Sequence, residues 1–156
     1  MFWRRRKADS FERPQPPQSI TLSPVARVRN DVKRPRPHGW GRVKSRLEFL
    51  PEHEPRLLGL DCYSHAIVVF YMDLAPGAPE KPEQLTLESG HRYGIFATRS
   101  QLRPNHLGVS VVSIHAVEGN VVTVKGLDAI DGTPVLDIKP YLPEYDAAPD
   151  ARIPFG

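Results

Sequence analysis

At 156 residues, 40% hydrophobic and 25% charged, the chain is sized for one domain with a real core, and its single cysteine, Cys62, excludes an internal disulfide or a multi-cysteine zinc site. The net charge of +3 conceals a division: residues 1 to 49 carry 13 Lys and Arg against 4 Asp and Glu, whereas residues 50 to 156 carry 8 against 14. No apolar run approaches the roughly 18 residues of a membrane span, and the basic start Met1–Lys7 lacks the apolar stretch of a signal peptide, so the cytoplasm is the expected location.

In chain order, residues 1 to 19 combine arginines, prolines and glutamines with few apolar groups, which predicts a disordered basic arm. From Ile20 to Leu50, Val25, Val28, Val32, Trp40, Val43, Leu47 and Phe49 are separated by charges and prolines, as in short twisted strands with long links. Tyr63–Met72 is apolar on both faces and rich in β-branched and aromatic residues, the pattern of a buried central strand. A loop punctuated by proline and glycine follows over residues 75 to 85, then a strand over Tyr93–Ala97. Leu107–Val117 and Val121–Leu127 flank Glu118-Gly119-Asn120, a hairpin turn in which Gly-Asn supplies positive φ. Val135–Ile138 is the last strand. Five to seven short strands with hardly any amphipathic helix predict a mainly antiparallel β fold, and a small closed barrel best removes exposed edges. The expected organisation is an arm to residue 19, a barrel over 20 to 146 and a tail over 147 to 156.

No glycine-rich phosphate or dinucleotide loop joins a strand to a helix, and no GxSxG elbow is present. The histidines lack zincin spacing, although His65, His91, His106, His115 and Asp73 could converge as a metal-dependent hydrolase. The basic first third favours a polyanionic partner, with nucleic acid the commonest, against the alternative of a solubilising arm. Two segments invite chemistry. Ala97–Ser110 holds Arg99 and Arg103-Pro104-Asn105; a guanidinium is a planar fork of donors suited to carboxylate or phosphate, or to an ion pair with a nearby aspartate. Leu127–Tyr141 holds Asp128, Asp131 and Asp137 around Gly132-Thr133-Pro134, a rigid corner whose carboxylates could accept from hydroxyls or amines, or simply close an Asx turn.

The run Gly94-Ile95-Phe96-Ala97-Thr98-Arg99-Ser100, then Arg103-Pro104-Asn105, Gly108 and Ser110, then Leu127-Asp128 with Asp131–Tyr141, closely resembles the TrmO (TsaA-like, YaeB-like) methyltransferases. Tyr63-Ser64-His65 is similar to the FSH before that family's central strand, and Ser23–Asn30 to its opening PIGxVRS. The chain departs from the family at Asp73-Leu74, where larger bacterial members carry His-Gln, at His106-Leu107, and at Lys33–His38, which stands where PRQPG is usual.

The resemblance implies a single-sheeted barrel acting as a homodimer, using S-adenosyl-L-methionine to methylate the exocyclic nitrogen of threonylcarbamoyladenosine beside the anticodon of tRNA. It implies a cofactor pocket at Arg99, Val109, Leu127, Asp128, Ala129, Ile130, Asp131, Asp73 and Leu74, completed by the dimer partner. Methyl transfer from a sulfonium chiefly needs positioning, so Arg99 is expected on the cofactor carboxylate, and Asp131 is the expected proton acceptor. Arg27, Arg29, Lys33, Arg34 and Arg36 are expected on the tRNA backbone, with Arg103 and Asn105 shaping the mouth and the dimer seam. The rival readings are a non-catalytic S-adenosyl-L-methionine- or RNA-binding barrel, and the metal hydrolase.

Overall fold

The computed structural model describes residues 11–75 and 82–154. Most of the expected basic arm (residues 1–10) and the middle of the proline-rich loop (residues 76–81) lie outside them. Eight strands follow in order: β1 (Ala26–Arg29), β2 (Lys44–Phe49), β3 (His65–Tyr71), β4 (Gln84–Thr86), β5 (Arg92–Gly94), β6 (Leu107–Glu118), β7 (Val121–Lys125) and β8 (Pro134–Pro140). Six of them close an antiparallel barrel in the order β1-β2-β7-β6-β3-β8, while β4 and β5 form a separate hairpin. The small antiparallel barrel expected from the strand pattern is therefore present. A single helical turn, α1 (Pro143–Asp146), follows β8.

The core explains why these runs are strands. Inward positions recur with period two: Ala26 and Val28, Leu47 and Phe49, Ala66, Val68 and Phe70, Val122 and Val124 are all buried. Valine and alanine fill six of these nine positions, as suits the narrow interior of a six-stranded barrel. Phe70 is accommodated by Gly108, its cross-strand partner, since a β-carbon there would overlap the Phe70 ring. At the β6–β7 turn Gly119 takes φ +60, as expected, and the neighbouring Asn120 ties the tip to β2 through Nδ2 to the Phe49 carbonyl at 2.6 Å.

Tyr93–Ala97 departs from expectation. The strand ends at Gly94, and Ile95–Ala97 is a 3-10 turn in which only Ile95 is buried. The Arg103 guanidinium accounts for this, because it takes the Thr98 carbonyl at 2.8 Å and the Ile95 carbonyl at 3.1 Å, acceptors a ladder would otherwise use. Between Ile20 and Leu50 only β1 and β2 are extended pairs; Val32 and Trp40 belong to the connection between them.

The register places the site. β1, β3 and β7 end where β2, β6 and β8 begin, so the connections 30–43, 72–106 and 126–133 all emerge from one end of the barrel. The other end carries the 50–64 crossing and the 119–120 hairpin.

Candidate active site

The three connections enclose a cavity of about 530 Å³. The first contributes Arg36 and Trp40, the second Asp73, Leu74, Arg99, Ser100 and Gln101, and the third Asp128, Ala129, Ile130 and Thr133; Phe70 and Met72 form part of its apolar lining. Such a mixture of an apolar base with a few convergent charges is the usual make-up of a small-molecule site.

Its charged groups are fixed by β6. Arg99 donates through Nη2 to the Val109 carbonyl at 2.9 Å, and Asp128 accepts from the Ser110 hydroxyl. Successive β6 residues thus anchor one cation and one anion, and both side chains remain exposed to the cavity mouth. Across from them, Arg36 stacks over the Trp40 ring with its Cζ 5.0 Å from the centroid, donates to the Gly39 carbonyl, and accepts the Trp40 indole N–H on its own carbonyl at 3.1 Å. A cation–π pair closed by two hydrogen bonds gives this wall a defined shape.

His106 braces the second connection. It is buried at φ +50, donates through Nδ1 to the Gln101 carbonyl at 2.9 Å, and packs edge-on against Tyr71. Since a carbonyl only accepts, that bond fixes the Nδ1–H tautomer. The His106 carbonyl in turn accepts from Met72 N–H at 2.8 Å, which ties the loop to the end of β3.

Of the expected cofactor residues, Arg99, Asp73, Leu74, Asp128, Ala129 and Ile130 come together at this cavity. Leu127 is wholly inside the core, and Val109 contributes its carbonyl from an outward position. Asp131 is turned away from the cavity: Oδ2 lies 2.8 Å from Lys33 Nζ, and Oδ1 accepts from Asn30 N–H at 3.1 Å. The Lys33 ammonium, followed by the Asn30 N–H, holds this carboxyl below the usual aspartate range, against an opposing effect of burial. Arg103 is spent on the backbone of the 3-10 turn. Asn105 lies instead at a second hollow, against Tyr71, Leu107, Leu136 and the segment 17–24. Arg27 and Arg29 lie on the outer face of β1, where Arg29 pairs with Glu48 at 3.3 Å, and Arg34 is exposed. Trp40, Ser100, Gln101 and Thr133 are additions to the expected set; Ser100 could have been found beside Arg99, but Trp40 reads as one more strand hydrophobe. Among the described residues, no three His, Cys, Asp or Glu side chains gather as metal ligands, and no helix is long and apolar enough to cross a membrane.

An S-adenosyl-L-methionine molecule carries a carboxylate, an ammonium, a sulfonium, ribose hydroxyls and an adenine ring. The donor set here suits it, with Arg99 for the carboxylate, Asp73 and Asp128 for the cations or hydroxyls, and an apolar and aromatic lining for the ring.

Comparison with known proteins agrees with this chemistry. The family profile described as tRNA-methyltransferase O N-terminal domain (TrmO_N) matches residues 17–147. A probable S-adenosyl-L-methionine-binding protein of Pyrococcus abyssi is 37% identical over 111 residues, which cover 71% of this chain and 59% of that protein. A human tRNA (adenine(37)-N6)-methyltransferase is 38% identical over 119 residues, 74% of this chain and 26% of that protein. The crystal structure of TrmO from Pseudomonas aeruginosa superposes with a TM-score of 0.70 at 33% identity, covering 88% of this chain and 61% of that one. The chain spans less than two thirds of the length of these relatives. With the profile covering most of its length, the chain belongs to the tRNA-methyltransferase O N-terminal domain family.

Proposed function

We propose that this protein is an S-adenosyl-L-methionine-dependent methyltransferase acting on the exocyclic amine of adenosine 37 of tRNA, with threonylcarbamoyladenosine as the acceptor nucleoside. The observation that carries this reading is the convergence of Arg99, Asp73 and Asp128 with the Arg36–Trp40 wall at one cavity, in a chain of this family. The catalytic unit is the barrel over residues 20 to 146, and the cytoplasm is its place of work.

When bound, S-adenosyl-L-methionine supplies an already activated methyl on a positive sulfonium, so the protein has chiefly to position the acceptor nitrogen. Arg99, oriented by the Val109 carbonyl, holds the cofactor carboxylate. Asp128, oriented by Ser110, and Asp73 accept from hydroxyls or the ammonium. Both are cavity carboxylates able to receive the amine proton; Asp131, already occupied by Lys33 and Asn30, is poorly disposed to do so. The Trp40 ring offers a stacking surface for a base.

RNA is held by the cationic flank of the barrel. To the expected Arg27, Arg29, Lys33, Arg34 and Arg36, the strand register adds Lys44 and Lys125, which face each other directly across β2 and β7. Among the described residues neither has a carboxylate within ion-pair distance. Like charges opposed in this way destabilise a sheet, and a phosphate backbone relieves the repulsion.

A homodimer forms through the opposite flank. Leu107, Val109 and Val111 are 37%, 45% and 52% exposed along β6, and they pair across the sheet with Tyr71, Val69 and Ile67. An outward apolar ladder of this kind is a normal subunit interface. It adjoins the cavity through Arg99, and Asn105 and Arg103 lie near the same seam. Nucleoside mass spectrometry of tRNA from cells with and without the gene tests the reading: one adenosine should lose a methyl group, and an unchanged nucleoside profile would refute it.

A further inference from the structure

Among the described residues, 30–33 and 129–132, which lie in two of the connections around the cavity, are bound to one another by a dense set of hydrogen bonds. Asn30 Nδ2 donates to the Ala129 carbonyl at 2.8 Å and to the buried Ser45 hydroxyl at 2.9 Å, while Oδ1 accepts Val32 N–H at 3.0 Å. Asp131 N–H donates to the Val32 carbonyl at 2.8 Å, and Gly132 N–H to the Val28 carbonyl at 2.7 Å. Lys33 Nζ closes the knot, at 2.8 Å from both the Asn30 carbonyl and Asp131 Oδ2.

Two residues after Lys33 begins the Pro35–Trp40 wall of the cavity. Its far end is also tied to the third connection, since Val43 N–H donates to the Trp40 carbonyl and Gly126 N–H to the Val43 carbonyl, both at 3.0 Å. The wall is therefore a strap with two anchors. The first of these combines one ion pair and one asparagine side chain with the backbone bond from Asp131 to Val32.

We propose that Asn30, Lys33 and Asp131 form a latch that positions the Arg36–Trp40 strap against the Ala129–Ile130 side of the cavity. Asp131 is on this account a positioning residue, acting through Lys33 without touching substrate. Its two carboxylate oxygens each already hold a donor, and Arg29 adds a further positive charge nearby. The proposal rests on the methyltransferase reading for its effect on turnover, but the latch itself can be read without any reaction.

The test compares Lys33→Met, Asp131→Asn, their combination, and the charge exchange Lys33→Asp with Asp131→Lys in the full chain. Trp3→Phe is the background, leaving Trp40 as the sole tryptophan. Each single variant should weaken S-adenosyl-L-methionine binding by calorimetry about 3- to 10-fold, as loss of a part-exposed, hydrogen-bonded ion pair allows. Each should shift Trp40 emission in the same direction. The combination should be no worse than either single variant, and the exchange, which restores the ion pair but not the bonds to the Asn30 backbone, should recover affinity and emission in part.

A proton-acceptor role for Asp131 predicts the reverse. Turnover of Asp131→Asn would fall by about 100-fold or more at unchanged affinity, Lys33→Met would keep the wild-type cofactor affinity and Trp40 emission, and the exchange would rescue nothing. That pattern, or emission and affinity unmoved in both single variants, overturns the latch. Lys33 is mostly exposed, so its variant reports even if Asp131→Asn folds poorly. A wild-type protein that transfers no methyl would sink the enzymatic reading while the Trp40 signal still decided the latch.

Discussion

The two flanks of this barrel share a backbone plan and differ in almost everything their outward side chains offer. On β1, β2 and β7 the outward positions are Arg27, Arg29, Lys44, Arg46 and Lys125, with Glu48 the acid between Arg29 and Arg46. On the paired halves of β3 and β6 they include the apolar ladder Ile67, Val69, Leu107, Val109 and Val111, with His65 and His115 toward the other end. The inward residues of both flanks are mostly hydrophobes of the same kinds, so folding does not require the difference. On the proposed reading partners do: the first flank suits a polyanion and the second an apolar surface.

The contrast can be broken most severely on the apolar side. Val111→Asp should abolish dimerisation, shifting dissociation by roughly 100-fold, because a buried unpaired carboxylate costs about 3 kcal/mol or more. Analytical ultracentrifugation reads this, and a variant with unaltered sedimentation would remove the proposed interface. Gly108→Ala attacks the same strand from within: its β-carbon meets the Phe70 ring, so chemical denaturation should report about 2 kcal/mol of lost stability.

On the cationic side, Lys44→Gln with Lys125→Gln should raise KM for tRNA about 10-fold and flatten the salt dependence by about one unit per lysine, with cofactor affinity unchanged. The same pair should gain about 0.5 kcal/mol of stability as the cross-strand repulsion disappears. Increased stability without loss of RNA binding would mark the flank as merely solvated. The smallest effect concerns acid. Because the Asp131 pKa is lowered in the folded protein, its contribution is complete above the ordinary value of 3.8 and is lost as pH falls through the lowered one. Melting curves of wild type and Asp131→Asn should therefore differ at neutral pH and converge in strong acid.

The strands that could be read from the sequence were those with a local cause. Tyr63–Met72 is rich in β-branched and aromatic residues, and the hairpin at Gly119 has a residue that tolerates its φ. Ile95-Phe96-Ala97 looks equally apolar, yet a guanidinium several residues later takes the Ile95 carbonyl and that of Thr98 just beyond the run, and the segment is a 3-10 turn. The same limit governs the site. Asp73 and Asp128 stand just past the ends of β3 and β7, where the barrel brings them together, and Arg99 reaches them from within the second connection through its bond to the Val109 carbonyl of β6. Asp128 and Asp131 are indistinguishable in the local sequence; what separates them is Lys33, a residue of the distant first connection. Trp40 was hidden because a tryptophan among prolines and glycines carries no periodicity from which to infer a cavity wall.

The most direct test of the central claim is methyl transfer by the purified chain. Unmodified and threonylcarbamoylated tRNA are incubated with S-adenosyl-L-methionine and either wild type or Arg99→Ala, and the nucleosides are resolved by mass spectrometry. The account predicts one added methyl on adenosine 37 with wild type and a loss of about 100-fold or more with Arg99→Ala, the scale expected when a positioning charge is removed. Tight cofactor binding by wild type with no methyl on any adenosine would contradict it.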